Sequence, residues 1–415
     1  MELNRVVVSG MGALTPIGNN LSEYWRSLQL GRSGAAPILN FDTSNFKTRF
    51  ACELKGLDLG NYFDRKELRK MDPYTAYALI SVEEALKHSG LNLETINKDR
   101  AGVIWGSGIG GIKTFAEEVE GFVKSEKVPR FSPFFIPKMI ADIAAGMISI
   151  KYGFRGPNFA TVSACASSSH AIIDAFNYIR LGKANIFICG GSEASVHPAS
   201  VGGFNSLKAL STKNDQPSTA SRPFDKDRDG FVLGEGSGAL ILENYEHAKK
   251  RNAKIYAEIV GGGMSADAYH LTAPHPEGEG AKNVMKAALQ DGQLEHNLID
   301  YINVHGTSTP LGDISEMKAI HEVFQEHIYN MNISSTKSMT GHLLGAAGAI
   351  ESIACILALE NNCVPPTINL DNIDQELDNK VNYTAKTCQK RKLSFALCNT
   401  FGFGGHNASI IFKKY

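Results

Sequence analysis

The chain has 415 residues, a formal net charge of −1, 43% apolar residues and 40 glycines. That length exceeds the usual reach of one hydrophobic core, so two core units or one large layered architecture are expected, ordered and rich in tight turns. A balanced charge gives no global field for nucleic acid or an anionic membrane, and an acidic partner has to be met by a local basic patch.

The opening stretch MELNRVVVSGMGALTPIGNN has neither a basic start nor a long apolar centre. No run approaches the roughly 20 apolar residues that span a bilayer, so the expected location is cytoplasmic, with no membrane contact. Residues 3–9 (LNRVVVS) predict a buried strand, and helices are expected over residues 22–30 and 72–89. Between those helices Lys66, Arg69 and Lys70 fall on one face at helical spacing. Such a run is either a solvated face or a docking face, and further cations stand at Lys124, Lys127, Arg130, Lys208 and Lys213.

Residues 102–111 (GVIWGSGIGG) read as a strand entering a glycine-rich loop. The spacing is wrong for a dinucleotide fingerprint, which leaves close backbone approach to a neighbour or pocket. Residues 131–150 cluster aromatics before a small-residue helix, a pattern of core or subunit interface. A strand over 159–162 then gives way to small residues and a helix through Leu181, stopped by Gly182.

Cys165 stands at that strand-to-helix junction. Unpaired N–H groups and the positive helix end favour a thiolate there, which makes Cys165 a nucleophile candidate; the alternative is a small buried hydrophobe. The seven cysteines are odd in number and include no CxxC pair, against a disulfide framework or a zinc cage.

Farther along, a strand over 185–189, a turn-rich loop over 221–238 and a strand over 239–243 lead to a division at 252/253. The second part is expected to hold strands at 255–260, 301–305, 333–335 and 393–397, a loop at 306–313, and helices at 314–324 and 344–359. Residues 158–181 and 332–359 share one order of strand, small-residue loop and helix, which points to a duplicated, layered α/β sandwich. Three stretches of this part carry polar chemistry: His305 in NVHGTSTP, Lys337 and His342 in SSTKSMTGHLLGAAG with Glu351 beyond, and the glycine-rich NTFGFGGHN, read as a turn over 399–407. Two histidines and one cysteine without close pairing or a fourth ligand are a poor zinc set, so no metal is expected.

Taken together, SACASSSH, VHGTSTPLGD, SSTKSMTGHLLGAAGAIES and CNTFGFGGHN closely resemble, in this order, the motifs of the beta-ketoacyl-[acyl-carrier-protein] synthase II family, the elongating condensing enzymes of bacterial fatty acid synthesis. The likeness runs from RVVVSGMG to NASIIFKKY. It implies a thiolase-like duplicated αβαβα sandwich working as a homodimer, with residues 1–252 and 253–415 as its halves. It implies an acyltransferase that condenses a malonyl thioester with an enzyme-bound acyl group. Acyl carrier protein would be its partner, and no cofactor would be needed beyond the phosphopantetheine arm that the carrier brings.

By the same resemblance Cys165 is the acyl acceptor, and His305 and His342 promote malonyl decarboxylation. Lys337 and Glu351 form a supporting ion pair, and Phe401 gates the site and shares an oxyanion hole with Cys165. Thr307 and Thr309 hold the pantetheine arm, Ile109, Phe135 and Phe204 line the acyl pocket, and Lys66, Arg69, Lys70, Arg130 and Lys208 face the carrier. His406 and Ser163 depart from the threonines of some relatives. Biosynthetic thiolases and coenzyme A-dependent initiating synthases share the fold but use a different polar set where this chain has His342, and a non-catalytic chain-length partner would lack the cysteine.

Overall fold

The computed structural model describes residues 3–415. Its main sheet has ten strands. In chain order these are β1 (Val6–Leu14), β2 (Ala101–Gly106), β3 (Asn158–Thr161), β4 (Ile186–Glu193), β5 (Gly236–Asn244), β6 (Ala257–Ala266), β7 (Tyr301–Asn303), β8 (Asn332–Ser334), β9 (Phe395–Gly402) and β10 (His406–Lys414). They lie side by side as β8-β7-β9-β10-β6-β1-β5-β4-β2-β3. Counted from the start of each half, both halves have the strand order 3-2-4-5-1. In each, three parallel strands occupy the outer side and an antiparallel pair the inner side. β1 meets β6 antiparallel where the halves join, with Val6 opposite Ile259 and Val8 opposite Ala257. The duplication is therefore one of topology, and the division at 252/253 falls between β5 and β6.

Helices complete the layers. α1 (Pro73–Ser89) and α2 (Ile143–Tyr152) cover the outer face of the first half through Tyr74, Val82, Ile148, Trp105 and Ile241. α3 (Ser167–Arg180) lies in the middle, α4 (Glu279–Asp291) and α5 (Pro310–Phe324) cover the far face, and α6 (Ala347–Asn361) joins α3 in the middle. Ile172, Phe176, Ile353, Leu240 and Phe412 share the central core, while Val284, Ile320, Ile302 and Ile411 belong to the far one. This is the expected αβαβα order. α6 is buried along nearly its whole length because strands of both halves of the sheet pack against it, so the apolar stretch Leu344–Asn361, long enough to cross a membrane, serves here as the central layer.

Local chemistry sets the ends. Asp72 accepts the Tyr74 N–H, Pro73 occupies the first turn of α1 and Gly90 closes it at φ +59°. β6 runs beyond the expected end at Val260 because Gly261 and Gly263 let α4 approach: a Cβ on either would stand 2.3 Å from a carbonyl oxygen of Ala288 or Val284. α5 begins at Pro310, inside the expected loop, since proline suits the first helical position. The expected turn over 399–407 is mostly strand. β9 lies between β7 and β10, pairing carries it through Gly402, and only Phe403–Gly405 turn, with Gly404 at φ +87° and Gly405 at φ +75°.

The strand-to-helix units repeat in detail. The first passes through a tight turn at Ala164–Ala166 before α3, and the second through one at Leu344–Ala346 before α6. The leading residues have φ of +50° and +46°, and the residues before the helices both have φ of −87°.

Candidate active site

Cys165 is held by a strained elbow. Ala164 sits in the left-handed region, a conformation that costs roughly 1–2 kcal/mol for a residue with a side chain. Ser167 holds it there, donating its hydroxyl to the Ala164 carbonyl at 2.7 Å and accepting the Ser163 N–H at 3.0 Å. Ser163 Oγ also shares a 2.6 Å hydrogen bond with His170 Nδ1, and the other ring nitrogen lies 3.4 Å from the Asn407 carbonyl, which ties the elbow to β10.

The thiol differs from the expected thiolate. α3 starts two residues later, so Cys165 lies in the preceding turn, and desolvation outweighs every stabilising charge. Burial pushes the thiol up to about 12, although the Lys337 cation and the Phe403 backbone N–H pull it down. The resting group is a neutral thiol, and its sulfur lies 3.0 Å from His342 Nε2.

His342 is fixed by backbone on both sides: its N–H donates to Val232 O at 2.7 Å and its carbonyl accepts from Gly234 N at 2.9 Å. Phe231 packs edge-on against its ring at 5.3 Å, and His305 lies 5.3 Å from it at 85°. Desolvation drives both imidazoles well below the ordinary histidine value, Lys337 adds to this in each, and His342 adds to it in His305. Both rings are neutral, so each has one N–H to donate.

Lys337 and Glu351 meet at 2.5 Å with essentially no exposure, a pair whose rupture would leave a buried charge alone. Burial raises the Glu351 carboxyl to about 7 against the pull of Lys337. Glu316 is a residue that motif reading did not single out. It accepts the backbone N–H groups of His305 at 2.9 Å and Gly306 at 2.8 Å, so α5 fixes the end of β7. One turn earlier Asp313 accepts the N–H of Ser308 at 3.1 Å and of Phe224 at 2.9 Å, beside Arg228. The i, i+3 spacing of these two acids on the buried face of α5 was their only visible signal.

Cys165, His305, His342 and Glu316 open onto one cavity of about 630 Å³, and the Lys337–Glu351 pair lies buried behind its wall. Cys165, His305, His342, Thr307, Thr309, Phe401, Ile109, Phe204 and Lys208 all line it. Thr307 and Thr309 share a hydrogen bond at 3.1 Å, and the Phe401 ring stands 5.6 Å from that of His305. Phe135 does not belong to this wall. It stacks on Phe131 at 5.4 Å and Phe115 at 6.4 Å in a partly exposed aromatic cluster, away from its own chain's cavity. Lys66, Arg69, Lys70 and Arg130 are exposed and, among the described residues, make no ion pair.

A duplicated αβαβα sandwich whose cavity joins one thiol to two imidazoles, in the turn before a central helix, matches the ketosynthase class of the thiolase-like fold. The family model described as beta-ketoacyl synthase, N-terminal domain, matches residues 3–248, and its C-terminal counterpart matches residues 256–371. A Synechocystis protein named 3-oxoacyl-[acyl-carrier-protein] synthase 2 is 49% identical over 100% of this chain and 99% of its own length. A solved beta-ketoacyl synthase from Burkholderia phymatum superposes with a TM-score of 0.92 at 36% identity, over 99% of this chain and 100% of that one. A type II polyketide ketosynthase, solved in complex with its acyl-carrier protein and bound to the hexaketide, superposes at 0.91 with 33% identity over the whole of both chains. The chain belongs to the beta-ketoacyl synthase family, and it is a condensing acyltransferase of fatty acid chain elongation.

Proposed function

We propose that Cys165 takes an acyl group from an acyl-carrier-protein thioester, and that His305 and His342 then direct the decarboxylating attack of a malonyl thioester upon it. The observation that carries this reading is the 3.0 Å contact between the Cys165 sulfur and His342 Nε2, inside a cavity that also holds His305. Because the thiol rests protonated, His342 accepts its proton as the sulfur attacks the acyl carbonyl, and the proton passes to the departing pantetheine thiol. The tetrahedral oxyanion is met by the N–H groups of Cys165 and Phe401, preorganised donors of a kind worth roughly 3 kcal/mol each in the barrier.

In the second half-reaction carbon dioxide leaves the malonyl group, and its electron pair passes to an enolate. The two neutral imidazoles donate hydrogen bonds to the enolate oxygen. The enolate carbon forms a bond to the acyl carbonyl carbon, the bond to Cys165 breaks, and the sulfur, which leaves with that electron pair, takes up a proton from solvent. No resident cofactor enters this scheme, and Thr307 with Thr309 guides the arm that the carrier brings.

The carrier is met at the cavity rim by Lys208 and on the surface by Lys66, Arg69, Lys70 and Arg130, an unpaired set suited to an acidic partner. The active form is a homodimer in the cytoplasm. β3 ends the sheet, and just past it Val162 is 61% exposed and nearby Ile150 81% exposed, apolar surface suited to a second copy. In that assembly Phe135 serves the acyl pocket of the neighbouring subunit. The direct test is to incubate the protein with a carrier protein loaded with an acyl thioester and no malonyl donor, digest it and locate the adduct by mass. One acyl group on the Cys165 peptide is expected; an adduct on another residue, or none, contradicts the reading.

A further inference from the structure

Glu193 ends β4 with no solvent exposure, no cationic partner among the described residues and no place in the cavity wall. Its carboxylate nevertheless has four donors. One oxygen accepts the Gly108 N–H at 2.8 Å and the Gly345 N–H at 2.9 Å, and the other accepts Ser107 Oγ–H at 3.1 Å and the Ile109 N–H at 3.2 Å. A carboxylate accepts only, and every group aimed at it donates, which offsets part of the burial that raises this carboxyl.

The duplication shows what this carboxylate replaces. β4 and β9 hold the same place in the strand order of their halves, and each is eight residues long, so Glu193 corresponds to Gly402. Gly345 likewise corresponds to Cys165, the middle residue of the matching turn. At the first half's elbow, Gly402 of the second half packs so closely that a Cβ on it would stand 2.7 Å from the Ser163 carbonyl oxygen and 3.1 Å from the Cys165 nitrogen, so no side chain occupies that N–H. In the second half the equivalent N–H, that of Gly345, is occupied by the Glu193 carboxylate.

We propose that Glu193 is a positioning residue that sets acyl-chain length: it fills the second half's counterpart of the oxyanion site, and through that anchor pins the loop 107–109 to the turn 344–345. Ile109 and Leu344, which those two segments carry, line the cavity beside Cys165. Their separation is thus fixed by one buried carboxylate. The segments cross at backbone contact, where a Cβ on Gly345 would lie 2.3 Å from the Gly108 nitrogen, and the shared hydrogen bonds to Glu193 hold them there.

This inference rests on the condensing reading and is tested separately from it. Glu193→Gln puts an N–H pair against backbone donors and should force the segments apart. Acyl-carrier proteins bearing straight chains of graded length are supplied, and acylation of Cys165 is followed by mass together with malonyl decarboxylation. The expected result is a drop of about tenfold or more in the kcat/KM preference for the favoured length over longer chains, because an excluded methylene is worth that much in a shaped pocket. Decarboxylation should stay within about twofold, since the histidines are held by other partners. Ser107→Ala, which removes one donor and leaves the carboxylate in place, should shift the profile in the same direction by less, and it carries the test if Glu193→Gln does not fold. A folded Glu193→Gln protein with an unaltered length profile, or one in which every length and decarboxylation fall by the same factor, overturns the proposal. A wild-type protein that fails to condense any acyl group would instead overturn the functional reading, whatever Glu193 does.

Discussion

Ala164–Ala166 and Leu344–Ala346 are one turn built twice, with φ of +50° and +46° at their first residues and a helix directly after each. Only the first carries a side chain at its middle position, and that side chain is the thiol of Cys165. The second carries Gly345, where a Cβ would meet the Gly108 nitrogen at 2.3 Å and a Glu193 oxygen at 2.7 Å. The difference teaches that the strained turn supplies an outward N–H in both halves, and that chemistry depends on what the neighbouring strand end places opposite it. A glycine there leaves a site; a carboxylate closes it.

The largest effects should come from the residues that serve the open copy. His342 touches the sulfur, whereas His305 lies one ring farther away. His342→Ala should slow both Cys165 acylation and malonyl decarboxylation, and His305→Ala should slow decarboxylation while sparing acylation, each loss being about 10²–10³-fold as for an oxyanion donor. Single-turnover acylation followed by mass, beside carbon dioxide release, separates the two. Equal losses in both steps from both variants would mean that the histidines act as a unit.

The closed copy is sharpened by Gly345→Ala. The added methyl group meets backbone and a carboxylate that cannot move away, so overpacking should cost about 1–3 kcal/mol in denaturant unfolding. Gly121→Ala, where nothing stands within 4 Å of the new atom, is the control and should not destabilise.

The smallest effect is a pH limb. Both imidazoles titrate well below 6.5 because burial and the Lys337 cation disfavour their protonation. A histidine depressed in the fold binds fewer protons there than when unfolded, so its contribution to stability is complete above 6.5 and is lost as pH falls toward the folded value. His342 must be neutral to take the Cys165 proton, so Cys165 acylation should hold level as pH drops through 6.5 and decline only below it. A midpoint at 6.5 would place at least one ring in solvent.

Much of the site was legible because its residues sit in short motifs at element ends: Cys165 after β3, His305 after β7, and His342 just before the second turn. The alternation of strands and helices gave the layers, and the related order of 158–181 and 332–359 gave the repeat. What stayed hidden were partners set by long-range packing. Glu316 grips backbone 10 residues away, and Glu193 grips backbone 152 residues away, and no local pattern separates such carboxylates from surface ones. The glycines of NTFGFGGHN looked like a turn, yet central strand pairing outweighed that preference as far as Gly402. The thiolate expected for Cys165 came from the helix end alone, whereas the full environment desolvates the sulfur. Phe135 packs with Phe131 in a separate aromatic cluster, a placement that its motif did not specify.

One cavity serves two separable steps in this scheme, thioester attack by Cys165 and decarboxylation beside the paired imidazoles. Cys165→Ala with malonyl and acyl carriers tests it most directly. Condensation product should fall by about 10³-fold or more, as for loss of a covalent nucleophile, while carbon dioxide is still released from the malonyl carrier. Normal elongation by the Cys165→Ala protein, or complete loss of decarboxylation in a folded one, would contradict it.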